Sequence, residues 1–210
     1  MRVIDLTMEI VPSMRVYPGS PQPSFIEWSK FDVQGYYSEV MFLSTHTGTH
    51  IDAPSHFIQG STTIDKIRVS KFVSRSILIK IPKEADQLIT KNDFSNREIK
   101  ANDTVVFATG WEKRSKKDDY MINNPGLSLD AAEYLVRNRV NAVAIDGPSI
   151  DRGIDNNFNI HNALLSNDVL IIENLCNLKA LSSVESFTLI VNPLKLVGAS
   201  GSPVRAIALV

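Results

Sequence analysis

Three observations predict a mixed α/β domain spanning residues 1–210. Runs of β-branched and apolar residues, each short enough for a strand, recur along the chain. Helical periodicity falls between some of them, so that strand, helix and strand follow one another as in a βαβ unit. No Gly/Ser-rich linker, internal repeat or low-complexity stretch divides the chain, and its length suits one domain with a buried core.

The strand-like runs lie near residues 2–8, 37–45, 75–81, 104–109, 140–146, 169–173, 187–192 and 204–209. A short helix is expected after Thr90. The stretch Glu112 to Asp119, dense in basic and acidic residues, reads as a solvated loop. After Asn124-Pro125-Gly126-Leu127, Ser128 is placed to cap a helix carrying Leu129, Ala132, Leu135 and Val136 at helical spacing. The strand Ala142-Val143-Ala144-Ile145 completes that unit. A second helix is expected from about Asn162 to Asn167-Asp168, ahead of the apolar run Val169-Leu170-Ile171-Ile172.

Composition narrows the partners. With 22 basic against 23 acidic residues, nothing advertises nucleic acid or an anionic membrane. The single cysteine, Cys176, forms no internal disulfide; it fits a reducing, cytoplasmic compartment and reads as a small buried side chain. The start Met1-Arg2-Val3-Ile4-Asp5-Leu6-Thr7 lacks the apolar core of a signal peptide. No apolar run approaches the ~20 residues of a membrane-spanning helix. A soluble cytoplasmic protein is the expectation.

All 4 histidines fall in two short stretches, and three of them sit between His46 and His56. Imidazole and carboxylate suit a borderline-soft divalent ion such as zinc. A helix through His46 and His50 is disfavoured by Thr47, Thr49 and Ile51, by Gly48 and by Pro54. A straight strand would put His46, His50 and Asp52 on one face, but at ~3.3 Å per residue the two histidines would stand ~13 Å apart. The chain is therefore expected to bend at Gly48, bringing His46 back toward His50 and Asp52 as metal ligands. Pro54 then redirects the backbone so that His56 emerges near the same place. A catalytic ion keeps a position open for water, and His56 is assigned to proton transfer, with a ligand or orienting role as the alternative. Glu173 interrupts the apolar run after His161, and a buried carboxylate is costly unless a cation meets it. That cation is either a metal or an arginine such as Arg205. His161 alone would be an ordinary polar helix-start residue, and Asp5, Asp146 and Asp151 read as turn residues that satisfy backbone donors.

The stretch His46-Thr47-Gly48-Thr49-His50-Ile51-Asp52-Ala53-Pro54-Ser55-His56 resembles the metal-dependent cyclase/hydrolase family, which includes bacterial kynurenine formamidase and isatin hydrolase. It matches the pattern His-x-Gly-Thr-His-x-Asp-x-Pro-x-His at every fixed position. Shorter matches follow in the family's order. They are Tyr17-Pro18-Gly19, Thr109-Gly110-Trp111, Pro125-Gly126-Leu127-Ser128, Asp146 to Asp151, His161, Glu173-Asn174-Leu175 and Gly201 to Arg205.

The resemblance implies a swivelling β/β/α fold with a mixed sheet and a homo-oligomer, dimer or tetramer. It also implies two metal positions, with His46, His50 and Asp52 holding one ion and Asp52 bridging to a second held by His161 and Glu173. Zn2+ is the expected cofactor, with Mn2+ as in single-ion, isatin hydrolase-like members. The implied reaction is hydrolysis of a non-peptide C–N bond by metal-activated water, with His56 moving a proton to the leaving nitrogen. An arylformamide such as N-formylkynurenine, of tryptophan catabolism, is the leading substrate. A cyclic amide, imide or lactone is the alternative, and a non-catalytic metal-dependent small-molecule binding protein the rival of another class. Formamidases of this group typically carry Trp-Pro-Gly-Asp where this chain has Tyr17-Pro18-Gly19-Ser20, so an acidic residue is lost. Tyr17 and Trp111, taken singly, read as core or rim aromatics.

Overall fold

The computed structural model describes residues 1–210. After β1 (Val3–Asp5) the chain forms an arm of β2 (Ser24–Ser29), the one-turn helix α1 (Phe31–Gln34) and β3 (Ser38–Phe42). The body then adds β4 (His50–Asp52), β5 (Val73–Lys80), β6 (Leu88–Ile89), β7 (Thr104–Ala108) and β8 (Gly126–Leu127). Helix α2 (Leu129–Arg137), β9 (Ala142–Ile145), α3 (Asn159–Leu165) and β10 (Leu170–Glu173) follow, and β11 (Ser186–Pro193) and β12 (Gly201–Leu209) finish the chain.

The main sheet runs β12-β11-β5-β7-β9-β10-β4 and closes on itself, because β4 also pairs with β12. The result is a seven-stranded barrel of mixed direction, with β1 paired to the far end of β12. Strands β5, β7, β9 and β10 are parallel, and α2 and α3 provide the crossovers beside them.

Period-two alternation explains how two cores form on one sheet. Leu78, Val106, Ala144 and Ile172 point into the barrel with Ile51, Leu189 and Ala206. Their neighbours Ile77, Val105, Val143 and Ile171 point outward, under Leu135 of α2 and Leu164 of α3. Both faces of the central strands are buried, as a parallel sheet covered by helices requires.

Several expectations shift. The strand expected at 37–45 is β3, and it lies outside the barrel, paired with β2, which the sequence did not signal. The helix expected after Thr90 is one 3-10 turn, Lys91–Asp93, closed by a capping box between Thr90 and Asp93. Ser128 stands at the N-cap of α2, but its hydroxyl turns to the Ile89 carbonyl and the Asp130 carboxylate instead of the helix amides. Helix α3 starts at Asn159, ahead of the expected Asn162, because the Asp151 carboxylate accepts the Ile160 and His161 amides. Cys176 is half-buried on the wall of a surface groove, not fully enclosed.

At the closing seam Gly201 faces Asp52 across the ladder. A Cβ there would lie 2.7 Å from the Ile51 carbonyl oxygen and 2.8 Å from His46 Cε1. The seam closes only because residue 201 has no side chain. Gly201→Ala is expected to destabilise the protein by about 1–3 kcal/mol, the usual range for overpacking. Urea unfolding of the variant beside wild type measures this, and an unchanged midpoint would mean that the seam yields.

Candidate metal centre

Strand β4 sends His50 and Asp52 to the outer side of the barrel, with Ile51 between them pointing inward. Antiparallel register puts Glu173 of β10 directly opposite His50. On the same side, the first turn of α3 delivers His161. The bend expected at Gly48 is present, with φ +63°, and returns His46 to Asp52 at 2.7 Å between Nδ1 and Oδ1. Pro54 opens a 3-10 turn that ends at His56. The His56 ring stacks on His46 with centroids 3.8 Å apart.

The groups fall into two sets that share Asp52. His50, Asp52 and Glu173 converge in one, and His46, Asp52 and His56 in the other. Asp52 is the residue to which the resemblance gave a bridging role; His50 Nε2 lies 3.4 Å from its Oδ1 and also 3.4 Å from Glu173 Oε2. His50 stands with Glu173, because the two are paired across the ladder. His56 stands beside His46, with a ring nitrogen within 4.8 Å of an Asp52 oxygen.

Ring orientation is fixed from behind. His50 Nδ1 lies 2.8 Å from the Gly48 carbonyl oxygen, and His161 Nδ1 lies 2.5 Å from Asp151 Oδ2. Each acceptor holds the proton on Nδ1 and leaves Nε2 facing the centre. Those Nε2 atoms stand 3.4 Å and 3.3 Å from the two Glu173 oxygens, and His161 Nε2 stands 3.6 Å from Asp52 Oδ2. Separations of this size match the edge, ~3.4 Å, of a tetrahedron with bonds of ~2.1 Å. Asp52 Oδ2 is buried and has no hydrogen-bond partner. A buried anionic oxygen without a donor is costly, and a cation at this point would satisfy it. The residues present therefore fit a divalent ion.

Charge is balanced within the cluster. Burial opposes the charged form of His50, but the Asp52 and Glu173 carboxylates overcome it and push the group up to about 9. His161 is likewise raised well above the ordinary imidazole value, against burial, by Asp151, Asp52 and Glu173. Burial would raise Asp52, yet His50, His161 and His46 hold it well below the carboxylate range. His56 goes the other way: burial, with His46 and His161 beside it, lowers it to about 4 against the pull of Asp52 and Glu173. At neutral pH His56 is an uncharged base.

A cavity of about 190 Å³ opens onto the cluster. Tyr17, Phe57 and Phe158 form its aromatic wall, and Ser20, Ser44 and Ser149 its polar one. Phe158 caps α3 in the left-handed region, φ +49°, an uncommon conformation for a bulky residue. Its ring lies 5.2 Å from Phe57 and 6.3 Å from Tyr17. Trp111 is away from the cavity, buried with its Nε1 on the Tyr120 carbonyl. Arg205 pairs with Asp5, so it does not serve Glu173.

Sequence reasoning missed two supports. Asp151 was assigned to a turn, although it also holds His161; only its later pairing with that histidine reveals this. Asn174 donates to the Gly48 carbonyl and accepts from Tyr120 Oη, tying the His46–His50 bend to β10. Its place directly after Glu173 was the available signal.

A buried, preorganised set of imidazoles and carboxylates beside a small cavity fits the class of metal-dependent hydrolases. The Cyclase family model, described as "Putative cyclase", matches residues 4–152, and the chain belongs to that family. A kynurenine formamidase of Bacillus cereus is 28% identical over 207 residues, covering 97% of this chain and 95% of the relative. Among solved structures, an isatin hydrolase bound to the product analogue thioisatinate superposes with a TM-score of 0.90 at 27% identity, covering 99% of this chain and 92% of that one. A potential metal-dependent hydrolase with cyclase activity gives 0.82 at 30% identity, over 99% and 96% of the two chains. The chain is a hydrolase of this family. No helix is long and apolar enough to cross a membrane.

Because His50 and His161 carry protons at pH 7 without an ion, and ligating imidazole is neutral, metal binding is expected to release protons and to tighten as pH rises toward 9. Calorimetric titration of the metal-free protein with Zn2+, in buffers of different ionisation enthalpy, reads the release directly. Asp151→Asn, which removes the carboxylate behind His161, is expected to weaken binding ~10–100-fold. Binding without proton release, unchanged in the variant, would remove both histidines from the ligand set.

Proposed function

We propose that His46, His50, Asp52, His161 and Glu173 hold one or two divalent ions, Zn2+ or alternatively Mn2+, with Asp52 shared between the positions. The reading further assigns hydrolysis of a small non-peptide amide, with an arylformamide of the N-formylkynurenine type as the leading substrate. The observation that carries it is Asp52, whose Oδ1 faces His46 and His50 while its unpartnered Oδ2 faces His161. When bound, the ion supplies Lewis-acid polarisation of the carbonyl and acidification of water.

The chain's own side chains do the rest. Tyr17, Phe57 and Phe158 seat a planar group beside the cluster and exclude water from it. His56, half-buried on the cavity wall and uncharged at pH 7, accepts a proton from the attacking water as the new C–O bond forms. It returns that proton to nitrogen as the C–N bond breaks, so the products are a carboxylic acid and an amine. Homo-oligomeric assembly, as dimer or tetramer, and a cytoplasmic location belong to the same reading.

His56→Ala is expected to retain metal and to lose turnover by ~10²–10⁴-fold. Metal content and kcat measured on the same preparation decide the point; metal lost in step with activity would make His56 a ligand.

A cyclic amide or lactone is a second reading, favoured by Ser20. That residue lines the cavity and offers no carboxylate to meet the α-ammonium of formylkynurenine. A missing charge-assisted contact is worth ~1.5–3 kcal/mol, or about 10–100-fold in specificity. Neutral aryl formamides or cyclic amides are therefore expected to be cleaved at least as efficiently as formylkynurenine. Ser20→Asp should shift kcat/KM toward the charged substrate. A strong wild-type preference for formylkynurenine, unmoved by the aspartate, would place ammonium recognition elsewhere.

A further inference from the structure

One buried bend aims both His161 and Glu173. Between Ser149 and Asp151, the backbone amide of Ile150 donates to Glu173 Oε1 at 2.7 Å. The next residue, Asp151, holds the His161 ring at Nδ1 and accepts the amides of Ile160 and His161. Glu173 Oε1 and His161 Nε2 stand 3.3 Å apart, so a shift of this bend changes their separation. The His50 ring is held elsewhere, on the Gly48 carbonyl.

The bend is itself clamped by residues distant in sequence. Asn124 is fully buried, and its side-chain amide donates to the Asp151 carbonyl at 2.8 Å and the Ser149 carbonyl at 3.1 Å. The same nitrogen lies 3.1 Å from the Pro125 carbonyl, whereas Asn124 Oδ1 has no partner. A bare buried amide oxygen costs free energy, so the carbonyls alone decide how this side chain is turned. Between them, the Leu127 amide donates to the Ile150 carbonyl at 2.9 Å. All three carbonyls of the bend are thus taken by the segment 124–127. The approach is close: a Cβ on Gly126 would lie 2.2 Å from the Arg152 amide nitrogen and 2.4 Å from the Asp151 carbonyl carbon.

We propose that Asn124 is a positioning residue for His161 and Glu173, acting with Gly126 through the 149–151 bend. The inference rests on the reading of those two residues as metal ligands. Ser149 also lines the cavity, so one clamp sets a polar part of the cavity wall together with one side of the cluster. No apolar residue can replace the asparagine, because its removal leaves two buried carbonyls without a donor.

Magnetic resonance of metal-free protein carrying isotope-labelled histidine tests the proposal. In Asn124→Ala, measured below its unfolding transition, the His161 Nδ1–H is expected to exchange with solvent ~10-fold faster. The His50 Nδ1–H should keep its wild-type rate, which separates loss of the clamp from general loosening of the fold. Zn2+ affinity, read by calorimetry, should fall ~10–100-fold. Faster exchange of both ring protons alike, or of neither, overturns the proposal. Should the variant fail to fold, native-state exchange of wild type in sub-denaturing urea gives a second answer. There the Leu127 and Ile150 amides and the His161 Nδ1–H are expected to share one urea dependence, distinct from that of the His50 Nδ1–H. Independent opening of the three overturns the clamp. A wild type that binds no Zn2+ yet shows this exchange pattern keeps the clamp and overturns the metal reading.

Discussion

The arrangement depends on one buried negative charge. Asp52 is fully enclosed, and a carboxylate in that position is tolerated only where positive charge or donors converge on it. His46 meets one oxygen, His161 approaches the other, and His50 stands beside the first. The barrel places Asp52 where such convergence is possible. Strand β4 is only three residues long, yet it pairs with β10 on one edge and β12 on the other. The strand that closes the barrel is also the strand that carries the centre. Gly201 allows that closure without displacing His46, so the packing of the seam and the geometry of the site are a single constraint.

Around this constraint the second sphere is as ordered as the first. The Gly48 carbonyl accepts from both His50 and Asn174, and Asn174 in turn accepts from Tyr120. Asp151 receives two amides of α3 as well as the His161 ring. His50 is aimed by a backbone carbonyl that Asn174 ties to the end of β10, and His161 by a carboxylate that also holds the first turn of α3. The cavity wall is less relaxed: Phe158 holds a left-handed conformation at the start of α3, and strain of this kind is found where a side chain must be aimed.

Much of this was legible in the sequence, for identifiable reasons. The barrel strands declared themselves because both their faces are buried, which makes Val105-Val106-Phe107 and Leu170-Ile171-Ile172 continuous apolar runs. The bend at Gly48 followed from distance alone, since a straight strand would hold His46 and His50 apart. What stayed hidden depends on contacts distant in sequence. The closure of β4 on β12 joins residues about 150 positions apart, and no local pattern marks it. Nor does periodicity distinguish Asp151 holding a histidine from Asp146 satisfying the amides of Thr109 and Gly110. The β2 strand escaped because Phe25, Ile26 and Trp28 show no alternation between buried and exposed sides; both sides of the arm are apolar.

The charge balance of the centre bears on how the molecule comes to exist. Two carboxylates, Asp52 and Glu173, are faced by two imidazoles, His50 and His161, that hold protons strongly. In the metal-free fold these protons balance the two carboxylates, and no bare negative charge is stranded in the barrel wall. Zinc fingers, by contrast, stay unfolded until metal arrives. Here the two carboxylates have proton-bearing partners in the absence of an ion, so closure of the barrel does not require one to neutralise them.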